Sequence, residues 1–413
     1  MNEIVTFGCR LNFYESELIK DALKKASRDN VTVVHSCAVT NEAERQVKQK
    51  IRKIHKQNPT TEIIVVGCAV QLDPTSYIKI PGVAQVLGND DKLNYKNYLP
   101  SSEKIIVSDI DNVRKLSPPL INSFADKARA FIEIQNGCNH SCTFCSITHA
   151  RGNNRSVPIG NIIKQIRIFL EKGYQEIVFT GVDITDFGTD LFGKPSLGLM
   201  INRVLKEVPE LKRLRLSSID IAEVDDELLE LITQEPRLMP HLHLSLQSGN
   251  DLILKRMKRR HSREQTIKFC QKIKKCRSNV AFGADIIAGF PTESERMFED
   301  TVSLLEEIDA VYLHVFPYSN RKNTPAERMP QIPIHVRKER ANYLRNLGKI
   351  RLEKFNKSLI GSSQNILTEQ KHIGRAENFA LVKFEHDVAI KSIAEVKIIA
   401  ADGNYLFGKL SQM

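Results

Sequence analysis

The chain has 413 residues, a hydrophobic content of 41% and a formal net charge of +11 at pH 7. This length predicts two to four domains with ample hydrophobic cores. No apolar run approaches the roughly 18 residues of a transmembrane helix, and the N-terminus does not resemble a signal peptide, so we expect a cytoplasmic protein with no membrane contact. The positive charge favours an anionic partner such as nucleic acid, although a basic enzyme without one fits the charge equally well.

Eight cysteines in a large chain of this kind are not expected to form a disulfide framework. Six of them fall into two sets of three, which are described below in chain order. Of the other two, Cys270 shares an apolar helix face with Ile267 and Ile273 and is interpreted as a core residue, whereas Cys276 is given no role.

The first hundred residues alternate strands with helices. The predicted strands cover residues 4–7, 31–34 and 63–66, and the predicted helices cover residues 15–25 and 42–56. Each strand ends at a cysteine, namely Cys9, Cys37 and Cys68. Parallel strands bring their carboxyl ends to one edge of a sheet, so the three thiols are predicted to converge on a metal site. Zinc usually takes four protein ligands, and no fourth ligand is obvious; three small core residues are the alternative interpretation.

Residues 89–125 are rich in turn formers and include the double proline Pro118-Pro119, which predicts a connection between domains. From residue 129 to residue 320 the alternation resumes. Predicted strands cover residues 130–134, 176–180, 213–217, 241–246, 281–287 and 311–316, and predicted helices cover residues 162–170, 199–208, 226–232, 264–275 and 295–307. Six parallel strands with covering helices predict a partial βα barrel, whose active site lies at the carboxyl ends of the strands.

The loop after the first barrel strand carries Cys138, Cys142 and Cys145 in the spacing Cys-x3-Cys-x2-Cys. Three thiolates on one tight loop can hold three irons of a cubane cluster and leave the fourth iron free to bind a substrate or cofactor. Two alternatives are a zinc site with His140 or His149 as fourth ligand, and a cluster used only for electron transfer.

A long basic helix is predicted at residues 334–359, and the last fifty residues predict a small β-barrel. Its expected strands cover residues 380–384, 394–399 and 405–410, with glycine turns at Gly374, Gly403 and Gly408. Charges in this module are balanced, so the positive excess comes from residues 45–56, residues 255–260 and the long helix.

The Cys138 loop is similar to the signature of the radical S-adenosylmethionine (SAM) enzymes. The resemblance implies that the open iron binds the amino and carboxylate groups of SAM, whose reductive cleavage gives a radical that removes unactivated hydrogen atoms. Strand ends that share one register are expected to contact SAM, namely Gly181, Asp183, Ser217, Gln247 and Gly289. In the basic cluster at residues 255–260, Arg256 or Arg260 is expected to hold the SAM carboxylate or a tRNA phosphate, the alternative being a solvated helix start.

The whole layout resembles the methylthiotransferases within that superfamily. The matching segments are residues 6–12, 14–16, 36–40, 67–69, 145–147, 150–152, 241–249 and 314–319. Two departures are His35, where relatives commonly have Asn, and Asp183, where Asn is also frequent. The implied domains are an N-terminal methylthiotransferase domain (residues 1–100), a linker (101–125), a radical SAM barrel with the basic helix (126–360) and a TRAM-like substrate-recognition barrel (361–413).

The resemblance implies that Cys9, Cys37 and Cys68 hold an auxiliary four-iron cluster that carries the sulfur to be inserted, and that a second four-iron cluster with SAM generates the radical. The opening segment and short C-terminal module look most like the branch that acts on carbon 2 of N6-threonylcarbamoyladenosine at tRNA position 37, in the anticodon loop. The two other branches act on isopentenyladenosine in tRNA and on an aspartate of ribosomal protein S12. An electron donor such as flavodoxin or ferredoxin and a monomeric state are also expected. The hypothesis from a different class is a non-catalytic metal-containing RNA-binding protein.

Overall fold

The computed structural model describes residues 2–121, 124 and 127–411. Its first sheet has five parallel strands in sequential order. These strands are β1 (Glu3–Thr6), β2 (Val31–Ser36), β3 (Glu62–Gly67), β4 (Val83–Leu87) and β5 (Ile105–Ile106). The helices between them are α1 (Arg10–Lys25), α2 (Asn41–Gln57), α3 (Cys68–Leu72) and α4 (Pro74–Ile78). All six residues of β2 are buried because helices cover both faces of the sheet, as is usual for parallel sheets.

Two features of this first unit differ from the sequence prediction. Helix α1 begins at Arg10, immediately after Cys9, because Leu11, Tyr14 and Leu18 already form its buried face. Strand β5 lies inside the predicted linker 101–125 and pairs with β4, so the sheet continues past residue 100. The positions 122, 123, 125 and 126 of the connection lie outside the described residues.

The second unit is an open barrel of six parallel strands. They are β6 (Ala130–Glu133), β9 (Glu176–Thr180), β10 (Arg213–Leu216), β11 (His241–Gln247), β12 (Ala281–Ala288) and β13 (Ala310–Pro317), and a short antiparallel pair is formed by β7 (Gln135–Asn136) and β8 (Arg155–Ser156). The strand order is β6-β9-β10 and β11-β12-β13, and the two halves meet at the parallel bridges Leu214–Leu238 and Ile219–Leu244. Among the described residues β6 and β13 do not pair, so the barrel is open on that side.

Helices cover the outer face of this barrel. They are α6 (Ile159–Glu171), α7 (Leu197–Glu207), α8 (Asp226–Gln234), α9 (Asp251–Arg256), α10 (Arg263–Cys276), α11 (Glu295–Glu307) and α12 (Ile334–Ser358), whereas the short helix α5 (Ile147–Arg151) packs on the first unit. Alternate strand residues such as Phe282, Ala284 and Ile286 pack against the helices, which leaves Gly283 and Asp285 to line the interior. Cys270 is buried in the same core, as predicted.

The C-terminal residues form a closed five-stranded barrel. Its strands are β14 (Ser363–Gln370), β15 (Ile373–Ala376), β16 (Leu381–Phe384), β17 (Ile393–Ala401) and β18 (Leu406–Leu410), in the order β14-β15-β16-β18-β17. The prediction of turns at Gly374 and Gly408 is wrong, because both lie within strands. A Cβ atom on Gly408 would lie 2.2 Å from Val396 Cγ1, so glycine there permits close packing inside the small barrel. Gly403 lies in the bend between β17 and β18, as predicted.

The small barrel closes the amino-terminal end of the large one. The Arg215 guanidinium on β10 donates to the Glu377 carbonyl over 3.0 Å, and Arg213 donates to the Asn365 carbonyl over 3.0 Å. Phe379 stacks on His241, the first residue of β11, with ring centroids 4.4 Å apart. In the part of the chain that the structure describes, no helix is both long and apolar enough to cross a bilayer.

Candidate active site: two thiol triads at one domain interface

The loop with Cys138, Cys142 and Cys145 (the barrel triad) is fixed at its start by a glycine. Gly137 has φ of +75°, and a Cβ atom there would lie 1.9 Å from the Asn153 carbonyl oxygen. The next N–H, from Cys138, donates to the Gly152 carbonyl over 3.0 Å. Only glycine combines this backbone conformation with so close an approach, so Gly137 sets where the barrel triad begins.

Backbone and side-chain donors point at the sulfurs of the barrel triad. The N–H groups of His140 and Ile147 lie 3.4 Å from Cys138 Sγ and Cys145 Sγ. Arg259 Nη1 lies 3.8 Å from Cys142 Sγ. Donors of this kind stabilise thiolates that ligate iron–sulfur clusters.

The barrel thiols have the chemistry of metal ligands. All three are free of disulfides. Burial is the main cause that raises the pKa of Cys138, and burial raises the pKa of Cys145 to about 11. A bound cation removes that cost because it holds the thiols as thiolates. The donor set therefore fits a four-iron cluster bound through three cysteines.

Cys9, Cys37 and Cys68 (the N-terminal triad) lie together at the carboxyl edge of the first sheet. A Cβ atom on Gly8 would lie 2.8 Å from Cys37 Sγ, so Cys37 packs directly against the turn that carries Cys9. Burial is the main cause that raises the pKa of Cys37, and the charges of Cys68 and Cys9 add to this effect. The Val39 N–H and the Asn89 amide lie 3.5 Å from Cys37 Sγ and Cys68 Sγ. This donor set also fits a cluster.

A buried polar network joins the two triads. Arg151, at the end of the helix that follows Cys145, contacts both carboxylate oxygens of Glu15 on α1 at 2.9 Å. Lys92 donates to the same carboxylate over 2.7 Å and to Asn89 over 2.6 Å. Asn89 in turn donates to the Ala150 carbonyl over 2.6 Å. The network thus ties the helix that follows Cys145 to the domain that carries the N-terminal triad.

This network contains one carboxylate, that of Glu15, and two cations, Arg151 and Lys92. Burial opposes ionisation of Glu15, but Arg151 and Lys92 hold the pKa of that carboxyl well below its ordinary value of 4.5. Burial likewise disfavours the charged form of Arg151, but Cys68 and Glu15 raise its pKa well above its ordinary value. A permanent cation therefore lies beside the N-terminal triad, where it offsets thiolate charge.

The strand-end residues expected to contact SAM lie at the carboxyl end of the large barrel. Asp183 Oδ2 is 3.8 Å from Cys138 Sγ and 3.1 Å from His140 Nε2. Ser217 follows β10, and Gln247 ends β11 with φ of +69°. Their contacts with SAM stay a prediction.

Gly181 and Gly289 are close to protein groups. A Cβ atom on Gly181 would lie 2.7 Å from the Gln135 carbonyl oxygen. One on Gly289 would lie 2.7 Å from Cγ of Arg337 on α12. Helix α12 therefore occupies one side of the space beside Gly289. The sequence did not predict this contact.

His140 has carboxylate neighbours on two sides. Its Nε2 lies 3.1 Å from Asp183 and 3.0 Å from Glu223, and these hydrogen bonds raise its pKa to about 10. Cys138, His140 and Asp183 present donor atoms within 4.8 Å of one another. The geometry at Cys138, His140 and Asp183 therefore leaves the zinc alternative for the barrel triad open.

In the basic cluster at residues 255–260, the arginine that lies at the barrel triad is Arg259, whereas Arg256 or Arg260 was expected there. Arg256 donates to Thr292 Oγ1 over 2.7 Å, and Arg260 pairs with Asp220 at 2.7 Å. Arg259, between them in the cluster, reaches Cys142 Sγ and is also held by Asp220 at 2.9 Å. Which of these arginines reaches the barrel triad depends on the backbone of the turn after α9. The spacing of charged residues along the sequence does not predict that backbone.

Several residues at the site were not singled out from the sequence. Gln135 accepts the N–H groups of Val182 and Asp183 over 3.0 and 2.8 Å, which ties the strand before the triad loop to the end of β9. Glu15 and Arg151 lie within segments that matched the methylthiotransferases, and this match is the signal that could have identified them.

Three polar side chains face one another in the barrel interior. Asp285 on β12 lies 3.0 Å from His243 Nε2 and 3.3 Å from His314 Nδ1. Burial opposes ionisation, but these two imidazoles lower the pKa of Asp285 below its ordinary value of 3.8. The Ser218 hydroxyl adds a third donor at 3.3 Å.

Comparisons with known proteins agree with this geometry. Sequence models of two families match the chain: the radical SAM superfamily over residues 132–305 and the uncharacterised protein family UPF0004 over residues 2–88. The fold is similar to that of the radical S-adenosylmethionine methyltransferase TsrM of Kitasatospora setae, with a TM-score of 0.51, 12% identity, and coverage of 76% of this chain and 68% of that one. The chain is a radical SAM enzyme.

Three curated relatives refine the class. The threonylcarbamoyladenosine tRNA methylthiotransferase MtaB of Rickettsia prowazekii is 52% identical over 98% of this chain and 96% of its own length. The protein of the same name from Thermotoga maritima is 34% identical, with 98% of each chain covered. The tRNA-2-methylthio-N(6)-dimethylallyladenosine synthase of Clostridium botulinum (strain Okra) is 33% identical, over 98% and 96%. The chain therefore belongs to the radical SAM methylthiotransferase family, whose cofactors are SAM and two four-iron clusters.

Proposed function

We propose that this enzyme adds a methylthio group to carbon 2 of N6-threonylcarbamoyladenosine at position 37 of tRNA. The observation that carries the proposal is the pair of three-cysteine sites joined through Glu15 and Arg151. One site suits radical generation and the other suits sulfur supply, and a methylthiotransferase needs both beside one substrate atom. The non-catalytic hypothesis does not explain why two such sites share one buried network.

The names of the relatives support tRNA as substrate. Two of the three act on threonylcarbamoyladenosine by name, and the one with 52% identity is among them. The third is named for dimethylallyladenosine at 33% identity. Since the higher identity goes with the threonylcarbamoyl name, we assign the chain to that branch.

We assign the residues of the site as follows. Cys138, Cys142 and Cys145 hold the cluster that binds SAM, and Cys9, Cys37 and Cys68 hold the auxiliary cluster. These cofactors supply one-electron chemistry, a sulfur atom and a methyl group, none of which side chains can provide. Arg259 and the loop N–H groups stabilise the barrel thiolates, and Arg151 offsets charge at the N-terminal triad. A flavodoxin-like or ferredoxin-like donor supplies electrons to a monomeric, cytoplasmic enzyme.

Helix α2 presents a basic surface that suits the phosphate backbone of tRNA. Val47, Ile51 and Ile54 bury one face of this helix, which leaves the opposite face with exposed Arg52 and Lys53. The start of α2 also contacts the loop after β13, where the Asn41 N–H donates to Ser319 Oγ over 2.9 Å. Basic side chains on this face contact phosphates without reading sequence.

The proposal is tested by mass spectrometry of tRNA nucleosides from a strain that lacks this protein. We expect loss of 2-methylthio-N6-threonylcarbamoyladenosine and accumulation of its unmodified precursor. Complementation by the wild-type gene should restore the nucleoside, and complementation by the Cys37→Ala variant should not. Loss of the methylthio form of isopentenyladenosine instead would overturn the substrate, and loss of neither would overturn tRNA methylthiolation.

A further inference from the structure

Arg10 is a half-buried cation with no partner in the described part of the chain. It follows Cys9 directly, and its guanidinium forms no hydrogen bond and no ion pair with any described residue. Its Cζ atom lies 6.0 Å from the centre of the Phe379 ring, at the base of the barrel interior. A guanidinium held partly out of water without an anion is unfavourable unless a ligand supplies one.

The surroundings of Arg10 are rich in positive charge. Four guanidiniums lie within 6.0 Å of the centre of the Phe379 ring, and they belong to Arg10, Arg129, Arg215 and Arg375. Apart from Arg10 these arginines are paired. Glu176 lies 2.8 Å from Arg215 and 3.9 Å from Arg129, and Glu369 lies 3.1 Å from both Arg129 and Arg375. Within the described ranges of the chain, Arg10 is the cation of this group that has no carboxylate partner.

The carboxylate of Asp285 attracts Arg10, but it already has other partners. Its oxygens are held by His243, His314 and Ser218. Asp285 is therefore turned toward its own strand neighbours. No carboxylate among the described residues is therefore free for Arg10, and a ligand could supply the anion that completes its coordination.

Solvent reaches this part of the interior. The side chain of His314 on the edge strand β13 is 57% exposed, and that of Asp285 beside it is 21% exposed. These residues border the side on which β6 and β13 do not pair. A nucleobase that enters here with its reactive edge toward the strand ends would direct its substituent down the barrel, toward Arg10 and Phe379.

We propose that Arg10 binds the carboxylate of the substrate, as the subsite that recognises a carboxylated adenosine substituent. The inference rests on the proposed function, because the threonylcarbamoyl group carries a carboxylate and the isopentenyl group has none. A guanidinium matches a carboxylate with two parallel hydrogen bonds, whereas an apolar substituent would leave it unpaired. Its position next to Cys9 couples recognition of the substituent to the N-terminal triad.

The test uses reconstituted enzyme and anticodon stem-loop RNAs that differ only at adenosine 37. The substituents are threonylcarbamoyl, its methyl ester and isopentenyl, and both kcat/KM and the Kd of the labelled RNA are measured. For the wild type we expect the ester to reduce kcat/KM and to weaken binding by ~10–100-fold relative to the acid, the effect of losing a charged hydrogen bond. Arg10→Gln should treat acid and ester alike, and Arg10→Lys should keep part of the discrimination.

The control variant is Arg203→Gln, which removes an exposed arginine on the outer helix α7. It should leave the acid-to-ester ratio unchanged. If Arg10→Gln still discriminates acid from ester, or if the wild type does not, the carboxylate subsite is wrong although the proposed function stands. If the wild type methylthiolates only the isopentenyl RNA, the proposed function itself is wrong.

Discussion

At the scale of single residues, the buried ions at the domain interface are the most consequential feature. Glu15 and Arg151 are at most 2% exposed, and together with Lys92 they make a buried ion cluster. Removing one partner of such a pair leaves an uncompensated buried charge, which typically costs about 3–5 kcal/mol. These residues therefore specify how the two domains dock.

Glu133 near this cluster predicts a pH dependence of stability. Its carboxyl is 1% exposed, and burial with the charge of Glu15 raises its pKa from 4.5 to about 8. Between those values the native state holds a proton that the unfolded chain has lost, so this group makes stability fall as pH rises. Glu133→Gln should match the wild type near pH 5.5 and exceed its stability by ~3 kcal/mol at pH 8.5, which raises its Tm by several degrees.

The measurement is thermal unfolding of anaerobically reconstituted protein at pH 5.5 and pH 8.5. The exposed variant Glu207→Gln serves as control and should show the same pH dependence as the wild type. A Tm difference between Glu133→Gln and the wild type that does not grow with pH would contradict the assignment.

At the scale of elements, the loop start at Gly137 predicts a selective loss of metal. Gly137→Ala places a methyl group against the Asn153 carbonyl and forces the loop of the barrel triad to move. We expect iron content to fall from about eight to about four per chain, because only the N-terminal triad keeps its cluster. Gly160→Ala in α6, where a Cβ meets nothing within 4 Å, is the matched control and should keep full iron. Full iron in Gly137→Ala would contradict the role of this glycine.

The periodicity of apolar residues and the turn-forming residues at strand ends predicted most elements of the two parallel units. Helix α11 was predicted with its observed bounds, and the six strands of the large barrel were predicted within one residue at each end. The small C-terminal barrel was harder, because β14 (Ser363–Gln370) is polar on its outward face and β15 has a glycine at its centre. A glycine marks both turns and tight packing, and only the neighbouring strand distinguishes them.

At the scale of the whole molecule, the sequence predicted the two triads but not what joins them. Local spacing predicts Cys138, Cys142 and Cys145, and repeated strand ends predict Cys9, Cys37 and Cys68. The pairing of Arg151 with Glu15 connects residues 136 positions apart and depends on how the domains dock. The same holds for Arg259 at Cys142 and for Arg10 at the base of the barrel.

The net charge of +11 predicts tRNA affinity that falls with salt. Neutralising Arg52, Lys53 and Lys56 on the exposed face of α2 to Gln should reduce the slope of log Kd against log salt by ~2, since each lost phosphate contact removes about 0.7–0.9. The measurement is tRNA binding across a salt series. A control with the same charge change, Lys164→Gln with Arg167→Gln and Lys206→Gln on outer helices, should change the slope little. If the two variants had equal slopes of log Kd against log salt, the exposed face of α2 would not be the surface that binds tRNA.

Ala150 and Arg151 end the short helix after Cys145, and both form hydrogen bonds with residues of the first domain. We therefore expect each half of the polypeptide, expressed alone, to load iron less completely than the docked chain. A split version expressed as two pieces is expected to regain full iron only after the two pieces reassociate.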